Sequence, residues 1–187
     1  MSMQPVFQQA GDLLLHLLNE ALVPAVLNHE DCIRITYPHA EQDYQIGVFL
    51  YDIEEIRPYG TPLPVRISET QRQGASLNIS LHFLVYANRS MAFQSMTAQD
   101  EIILMEAVVR ALHNNEPVML EGQKLSIRLE CLTRQEKTSL WQSFGSGLQP
   151  AIYLVMEPIV IPSTRLEQVI PVQSFHLKTP KKVDGPL

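Results

Sequence analysis

Segment 133–161 constrains the fold more than any other part of the chain. Thr133 and Glu136 have the spacing of a capping box, in which each side chain bonds the backbone N–H of the other residue, so a short helix is predicted to begin here. This helix carries Trp141, the single tryptophan of the chain. An apolar run at 151–156 follows after a short turn and indicates a strand with both faces buried. A capped helix placed directly before such a strand indicates packing and assembly rather than catalysis.

Hydrophobic periodicity predicts two longer helices. Apolar residues recur at three- and four-residue steps over residues 6–25, and Pro24 ends or kinks this helix. The second helix is predicted to begin near Thr97, because Asp100 follows at capping-box spacing with Asp in place of Glu. Four residues at helical spacing form its predicted apolar stripe: Ile102, Met105, Val109 and Leu112.

Alternation and apolar runs predict the strands. They cover residues 32–36, 44–53, 76–86 and 124–132, and a last strand begins at Ala151. Pro158 cannot donate a ladder hydrogen bond, so the last strand is predicted either to lie at the sheet edge or to bulge there.

These elements together predict an α/β (α+β) fold. A single mixed β-sheet of about four to six strands is packed by two long helices and one short helix. The 187 residues fit one domain with an appended segment. We predict that the domain spans residues 1–165 and that residues 166–187 form an extended C-terminal arm or tail.

Two segments are the best candidates for contact with a partner. Residues 54–74 show no periodicity, and a loop of this length is usually functional or disordered. The arm holds β-branched and aromatic residues that can pair with the sheet edge of another chain. The candidate interface residues are Arg57, Arg66, Arg72, Val169, Val172 and Phe175. A solvated loop and a disordered tail are the alternatives.

Charge and hydropathy argue against two classes of partner. A formal net charge of -6 opposes general nucleic-acid binding, which needs a basic surface. No apolar run reaches the ~20 residues needed to span a bilayer. The first residues also lack the basic segment of a secretory signal, so we expect no membrane contact and no secretion signal.

Little in the sequence indicates chemistry. The six histidines are scattered, and none forms the i, i+4 pair of a helical metal site. His82, on the polar face of its strand, is a candidate general base, but a structural or interfacial role is favoured. Trp141 is interpreted as a core anchor beside Leu140 and Phe144, with an interface hot spot as the alternative. We expect no catalytic residue, no cofactor and no metal ion.

The order of the elements carries a family resemblance. After a leucine-rich opening helix come Tyr44-Gln-Ile-Gly-Val-Phe-Leu-Tyr51, Leu77-Asn-Ile-Ser-Leu-His-Phe-Leu-Val-Tyr86, Leu112-His-Asn-Asn-Glu-Pro117, Ser126-Ile-Arg-Leu129, Leu140-Trp141 and Ala151-Ile-Tyr153. This order and spacing, over about residues 1–165, resemble the N-terminal domain family of the cap proteins of phage-tail-like contractile injection systems. The chain departs from the family pattern at His82-Phe83, where His-Tyr is more usual, and at Pro158, which interrupts a strand.

The resemblance implies a structural role rather than an enzyme. Members of this family form a hexameric ring at the distal end of the tail, which ends tube and sheath growth and holds the last sheath layer. For this chain the resemblance implies a homohexameric ring, with the sheath protein and the inner tube protein as partners. It also implies assembly in the cytoplasm, a place in a particle that can be released, and strand addition between chains. A baseplate or neck adaptor of a similar particle is the alternative, and a small hydrolase using His82 is a remote one.

Overall fold

The computed structural model describes residues 5–38, 43–56, 64–89, 96–114, 118–120 and 122–169. Within them are three α-helices, α1 (Val6–Leu22), α2 (Ala98–Asn114) and α3 (Arg134–Ser143), and a 3-10 turn at Glu30–Cys32. The strands are β1 (Ile33–Ile35), β2 (Ile46–Glu55), β3 (Val65–Arg66), β4 (Gln71–Gln73), β5 (Leu77–Ala87), β6 (Val118–Leu120), β7 (Gln123–Leu129), β8 (Ala151–Ile161) and β9 (Leu166–Gln168).

The strands form two sheets. The large sheet has the order β1-β2-β5-β8-β7-β6, and the small sheet has the order β3-β4-β9. In the large sheet β1 runs parallel to β2 and the other pairs are antiparallel. The predicted α/β class with a mixed sheet is therefore confirmed, whereas β6 and the small sheet do not show in the sequence pattern.

The chain divides into two compact units. The first unit comprises Met1–Pro58 and Leu77–Ile161 and holds the large sheet with the three helices. The second comprises Tyr59–Ser76 and Pro162–Leu187 and holds the small sheet. The boundary at residue 165 between a domain and an arm stays a prediction.

Apolar layers cover both faces of the large sheet. Helices α1 and α2 pack on the face where β5 presents Phe83 and Val85. Helix α3 packs Trp141 against the other face, where β5 presents Leu84 and Tyr86. Successive strand residues point to opposite faces, so β5 is buried continuously from residue 79 to residue 87. His82 is consequently buried rather than on an exposed polar face.

The buried face of α2 differs from the predicted stripe. The structure buries Leu104, Val108, Ala111 and Leu112. Ile102 is 68% exposed and Val109 is 38% exposed. Apolar side chains cover a wide arc of this helix, so periodicity alone admits neighbouring stripes, and contact with α1 and the sheet selects among them.

The two predicted capping boxes are confirmed. At α3 the Thr133 backbone N–H donates to the Glu136 carboxylate at 2.7 Å, and the Glu136 N–H donates to the Thr133 hydroxyl at 3.3 Å. Thr97 and Asp100 make the same reciprocal pair before α2. Gly145 has φ 75°, the left-handed conformation that closes a helix.

Strand β8 resolves the two alternatives raised by Pro158. The edge placement is wrong, because β8 lies between β5 and β7. Met156 pairs with Leu81 and Ile159 with Ile79, so β8 has one residue more than β5 between these pairs. The predicted bulge is confirmed, since this extra residue falls at the proline.

Residues 54–74 contain more regular structure than predicted. Strand β2 continues to Glu55, and β3 and β4 form an antiparallel pair. On its other side β4 pairs with β9, which begins the predicted arm. Strands of two or three residues are too short for alternation to show, so their pairing is invisible in the sequence.

Within the described ranges, no helix combines the length and the hydropathy needed to cross a lipid bilayer.

Candidate functional site

A polar cluster joins β2, β5 and the residue that follows β7. Tyr51 donates a hydrogen bond to Oε2 of Glu130. Nδ1 of His82 lies 3.0 Å from the same oxygen. Because a carboxylate can only accept, this imidazole nitrogen is the donor. The His82 side chain is 8% exposed and the Glu130 side chain 22% exposed, so the cluster is largely withdrawn from water.

A β-bulge places Tyr51 in this cluster. Leu50 pairs with Phe83 and Asp52 pairs with His82, so Tyr51 is the extra residue of β2 between two consecutive pairs. A bulge redirects the side chain of its extra residue. The Tyr51 ring meets the His82 ring edge-on, with 5.9 Å between centroids.

Burial, hydrogen bonds and nearby charge set the protonation of Glu130 and Tyr51. Burial raises the pKa of the Glu130 carboxyl, but the hydrogen bonds from Tyr51 and His82 and the nearby positive charge of Arg128 outweigh burial and lower this pKa below its ordinary value of 4.5. Burial, the hydrogen bond to Glu130 and the charge of that carboxylate raise the pKa of Tyr51 above its ordinary value of 10.0. At neutral pH Glu130 is therefore an anion and Tyr51 a neutral donor.

The cluster lines an open cleft of about 710 Å³, which also takes part of its lining from α3. Four carboxylates line it, those of Asp52, Glu54, Glu130 and Glu136, together with Tyr51, His82, Leu132, Thr133, Gln135, Ser139 and Leu140. Among these lining residues there is no lysine or arginine, so the cleft is acidic and disfavours a phosphate-bearing ligand.

His82 takes part in an arrangement that resembles a catalytic relay. Oγ of Ser80 lies 3.2 Å from Nε2 of His82, whose Nδ1 bonds Glu130. However, Ser80 is 4% exposed and is not among the cleft-lining residues. A substrate in the cleft would reach the imidazole but not the hydroxyl, so the three groups are better explained as buried polar side chains that satisfy one another. Within the described residues, no group of three His, Cys, Asp or Glu side chains is arranged to hold a metal ion.

Trp141 lies at the centre of the aromatic layer beneath α3. It is fully buried, and its indole N–H donates to the Tyr153 hydroxyl at 2.9 Å. The Tyr86 and Phe144 rings meet it edge-on at 5.9 and 5.8 Å. These contacts attach α3 to the sheet. A direct role of Trp141 in a subunit interface stays a prediction.

The predicted partner residues fall partly on the small sheet. Arg66 of β3 and Arg72 of β4 are a cross-strand pair, and both are exposed. Val169 follows β9 and donates its backbone N–H to the Thr70 carbonyl at 2.8 Å. The other three, Arg57, Val172 and Phe175, lie outside the described residues.

The small sheet has features of a docking surface. Strands β3 and β9 form its two edges, and their outer sides pair with no strand in the described part of the chain. Val65, Ile67 and Leu166 are apolar and are 57%, 54% and 61% exposed. Free strand edges beside exposed apolar side chains suit the addition of an extended segment.

His82 can be singled out from the sequence, but its hydrogen-bond partners cannot. Tyr51 stands in an apolar run and Glu130 at a strand end, and nothing local links them, since 79 residues separate the two. The one available signal was the row of three polar residues, including Ser80 and His82, within an otherwise apolar β5.

Comparison with known proteins identifies the family. The family model described as the Pvc16 N-terminal domain matches residues 10–174. The chain belongs to this family, which confirms the predicted resemblance to tail terminator proteins. No curated protein sequence matches the chain significantly.

Two solved structures share the fold. The sheath/tube terminator of PVC, an extracellular contractile injection system, in its extended state, matches 98% of this chain with a TM-score of 0.68 and 18% identity. The tube-terminating cap of the anti-feeding prophage matches 96% with a TM-score of 0.65 and 21% identity. The chain spans 66% and 62% of the lengths of these two proteins.

Proposed function

We propose that this chain is a tail terminator, or cap, of a contractile phage-tail-like injection particle. The family match over residues 10–174 carries the proposal. Two proteins of the same fold, described as a sheath/tube terminator and a tube-terminating cap, support it. In this role a ring of identical copies, a homohexamer, ends polymerisation of the inner tube and the sheath and anchors the last sheath layer.

A terminator has a simple physical requirement. It must offer the end of a growing polymer the docking surface expected there and must present no such surface onward. The role is structural, without catalysis, cofactor or metal, and the buried position of Ser80 agrees with it. Assembly takes place in the cytoplasm, and the finished particle can leave the cell.

The small sheet is the proposed contact with the sheath protein. Its free edges at β3 and β9 can accept a strand, and Val65, Ile67 and Leu166 supply exposed apolar area. Backbone hydrogen bonds give such an interface its affinity, and the side chains on alternate residues give its specificity. Arg66 and Arg72 can pair with partner carboxylates, and the segment with Val172 and Phe175 adds a further strand-forming stretch.

The first test is assembly of the purified chain. Mass photometry and negative-stain electron microscopy, with and without the tube and sheath proteins, should show a closed ring that binds the ends of tubes. A chain that stays monomeric and never associates with tube or sheath would refute the proposal. Deleting the gene should give tails of uncontrolled or unstable length, whereas loss of a baseplate component would give no tails.

A second test addresses the small sheet alone. Ile67→Lys and Leu166→Lys place charges beside its edges and should abolish cosedimentation with sheath, while circular dichroism shows an intact fold. Met119→Lys is the matched control, because Met119 is 56% exposed on β6 of the large sheet. If the control loses binding equally, the assignment of the contact surface is wrong even where ring formation persists.

A further inference from the structure

A second pocket opens beside α3 and the start of β8. Its volume is about 360 Å³. It is lined by Lys137, Leu148, Gln149, Pro150, Ala151 and Tyr153, none of which lines the acidic cleft.

Gln149 is the unusual residue of this pocket. It is only 8% exposed, yet its side-chain amide makes no hydrogen bond with any residue that the structure describes. The amide atoms themselves are not sealed from water, since Gln149 lines the pocket and its amide is not a fully buried, unpartnered group. Its NH₂ group therefore has donors that a ligand in the pocket can use in place of water.

Lys137 brings a positive charge to the same pocket. Its Nζ lies 5.2 Å from the centre of the Tyr153 ring, a cation–π distance that holds the ammonium over the pocket wall. Tyr153 is itself fixed, because its hydroxyl accepts the Trp141 indole N–H. The chain carries 20 acidic and 14 basic residues, yet Lys137 forms no ion pair with a described carboxylate.

We propose that this pocket binds a carboxylate on a short aliphatic stem, as in the side chain of aspartate or glutamate. The Lys137 ammonium pairs with the charge and the Gln149 NH₂ donates a hydrogen bond to a carboxylate oxygen. Leu148, Pro150 and Ala151 provide apolar surface for the methylene groups of the stem. One cation and one amide match a monoanion with two oxygens better than a phosphate dianion with more oxygens to satisfy. The inference does not depend on the terminator proposal.

The test is an NMR titration of the full chain, deuterated and labelled with ¹⁵N, in which the amide signals of pocket residues are followed as a probe is added. The probe is the peptide acetyl-Gly-Glu-Gly-amide, and its Gln counterpart is the uncharged control. The Glu peptide should shift the NMR signals of the Gln149 side-chain amide and the Ala151 backbone amide until they reach a plateau. The Gln peptide should leave both signals unchanged. Lys137→Met and Gln149→Leu should each weaken binding of the Glu peptide at least tenfold. In Gln149→Leu the binding is measured from the Ala151 signal, because the Gln149 side-chain amide is absent. Lys124→Met, an exposed lysine on β7, should leave it unchanged.

Two further probes, glutarate and inorganic phosphate, identify the source and the chemistry of the bound anion. Glutarate that binds as well as the peptide, or better, supports the site with a free dicarboxylate as its ligand. Inorganic phosphate that binds as tightly as the Glu peptide overturns the carboxylate assignment. Absence of a saturable shift, or equal binding by Lys137→Met, overturns the site itself.

Discussion

The Tyr86 ring packs so closely on Gly47 that there is no room for a methyl group at this position. The two residues are directly paired across β2 and β5. A Cβ atom added at Gly47 would lie 2.6 Å from Cε1 of Tyr86, and closer still to Cζ and the hydroxyl oxygen. Real Cβ atoms do not approach other atoms this closely, so Gly47→Ala must displace the Tyr86 ring.

The Tyr86 ring has little freedom to move. It is 1% exposed, its hydroxyl lies 3.0 Å from that of Tyr44, and its ring meets Trp141 edge-on at 5.9 Å. Overpacking costs roughly 1–3 kcal/mol, loss of the hydroxyl bond about 1 kcal/mol and loss of the ring contact about 0.5–1.5 kcal/mol. We expect Gly47→Ala to lower the free energy of unfolding by about 3 kcal/mol and the Tm by about 6–12 °C.

Urea unfolding followed by circular dichroism and by Trp141 fluorescence measures this cost. Gly147→Ala is the matched control, because an added Cβ there meets no atom within 4 Å. It should change stability by less than about 0.5 kcal/mol.

A double-mutant cycle tests the reasoning itself. In a Tyr86→Ala background the clash is absent, so Gly47→Ala should be close to neutral and the coupling should equal most of the single-mutant cost. An equal cost of Gly47→Ala in both backgrounds would refute the steric explanation, and so would a cost below about 0.5 kcal/mol in the wild type.

Three other predictions concern α3 and the polar cluster. Trp141→Ala should lower the free energy of unfolding by about 3–5 kcal/mol in urea titrations, because it empties the centre of the aromatic layer; a loss below 1 kcal/mol would contradict that placement. Thr133→Ala should cost about 1 kcal/mol in the same assay by removing the capping box, and an unchanged midpoint would contradict it. The lowered pKa of Glu130 means that its ionised form stabilises the fold above pH 4.5 and that this contribution is lost as pH falls through the lower folded-state pKa. Glu130→Gln should therefore be less stable than wild type at pH 7 and should approach it in acid, as thermal melts between pH 3 and 7 would show; a constant difference would exclude the linkage.

The local elements can be identified from the amino-acid sequence. The capping boxes at Thr133 and Thr97 and the glycine stop at Gly145 are set by groups within four residues of one another, so they can be identified without the fold. The same holds for α1 and for the alternation of β5. The order of these elements was also enough to identify the family.

Other features depend on contacts between residues far apart in the chain and exist only in the folded structure. The bulge at Tyr51 and its bond to Glu130 exist because β2, β5 and β7 share one sheet. The pairing of β4 with β9 cannot be predicted from the sequence, since strands this short leave no pattern in it. The buried face of α2 likewise depends on the surfaces that the helix packs against, because its apolar residues are compatible with more than one helical stripe. Local periodicity and capping therefore specify which elements form, whereas register, bulges and the faces that meet arise from contacts made only when those elements pack together.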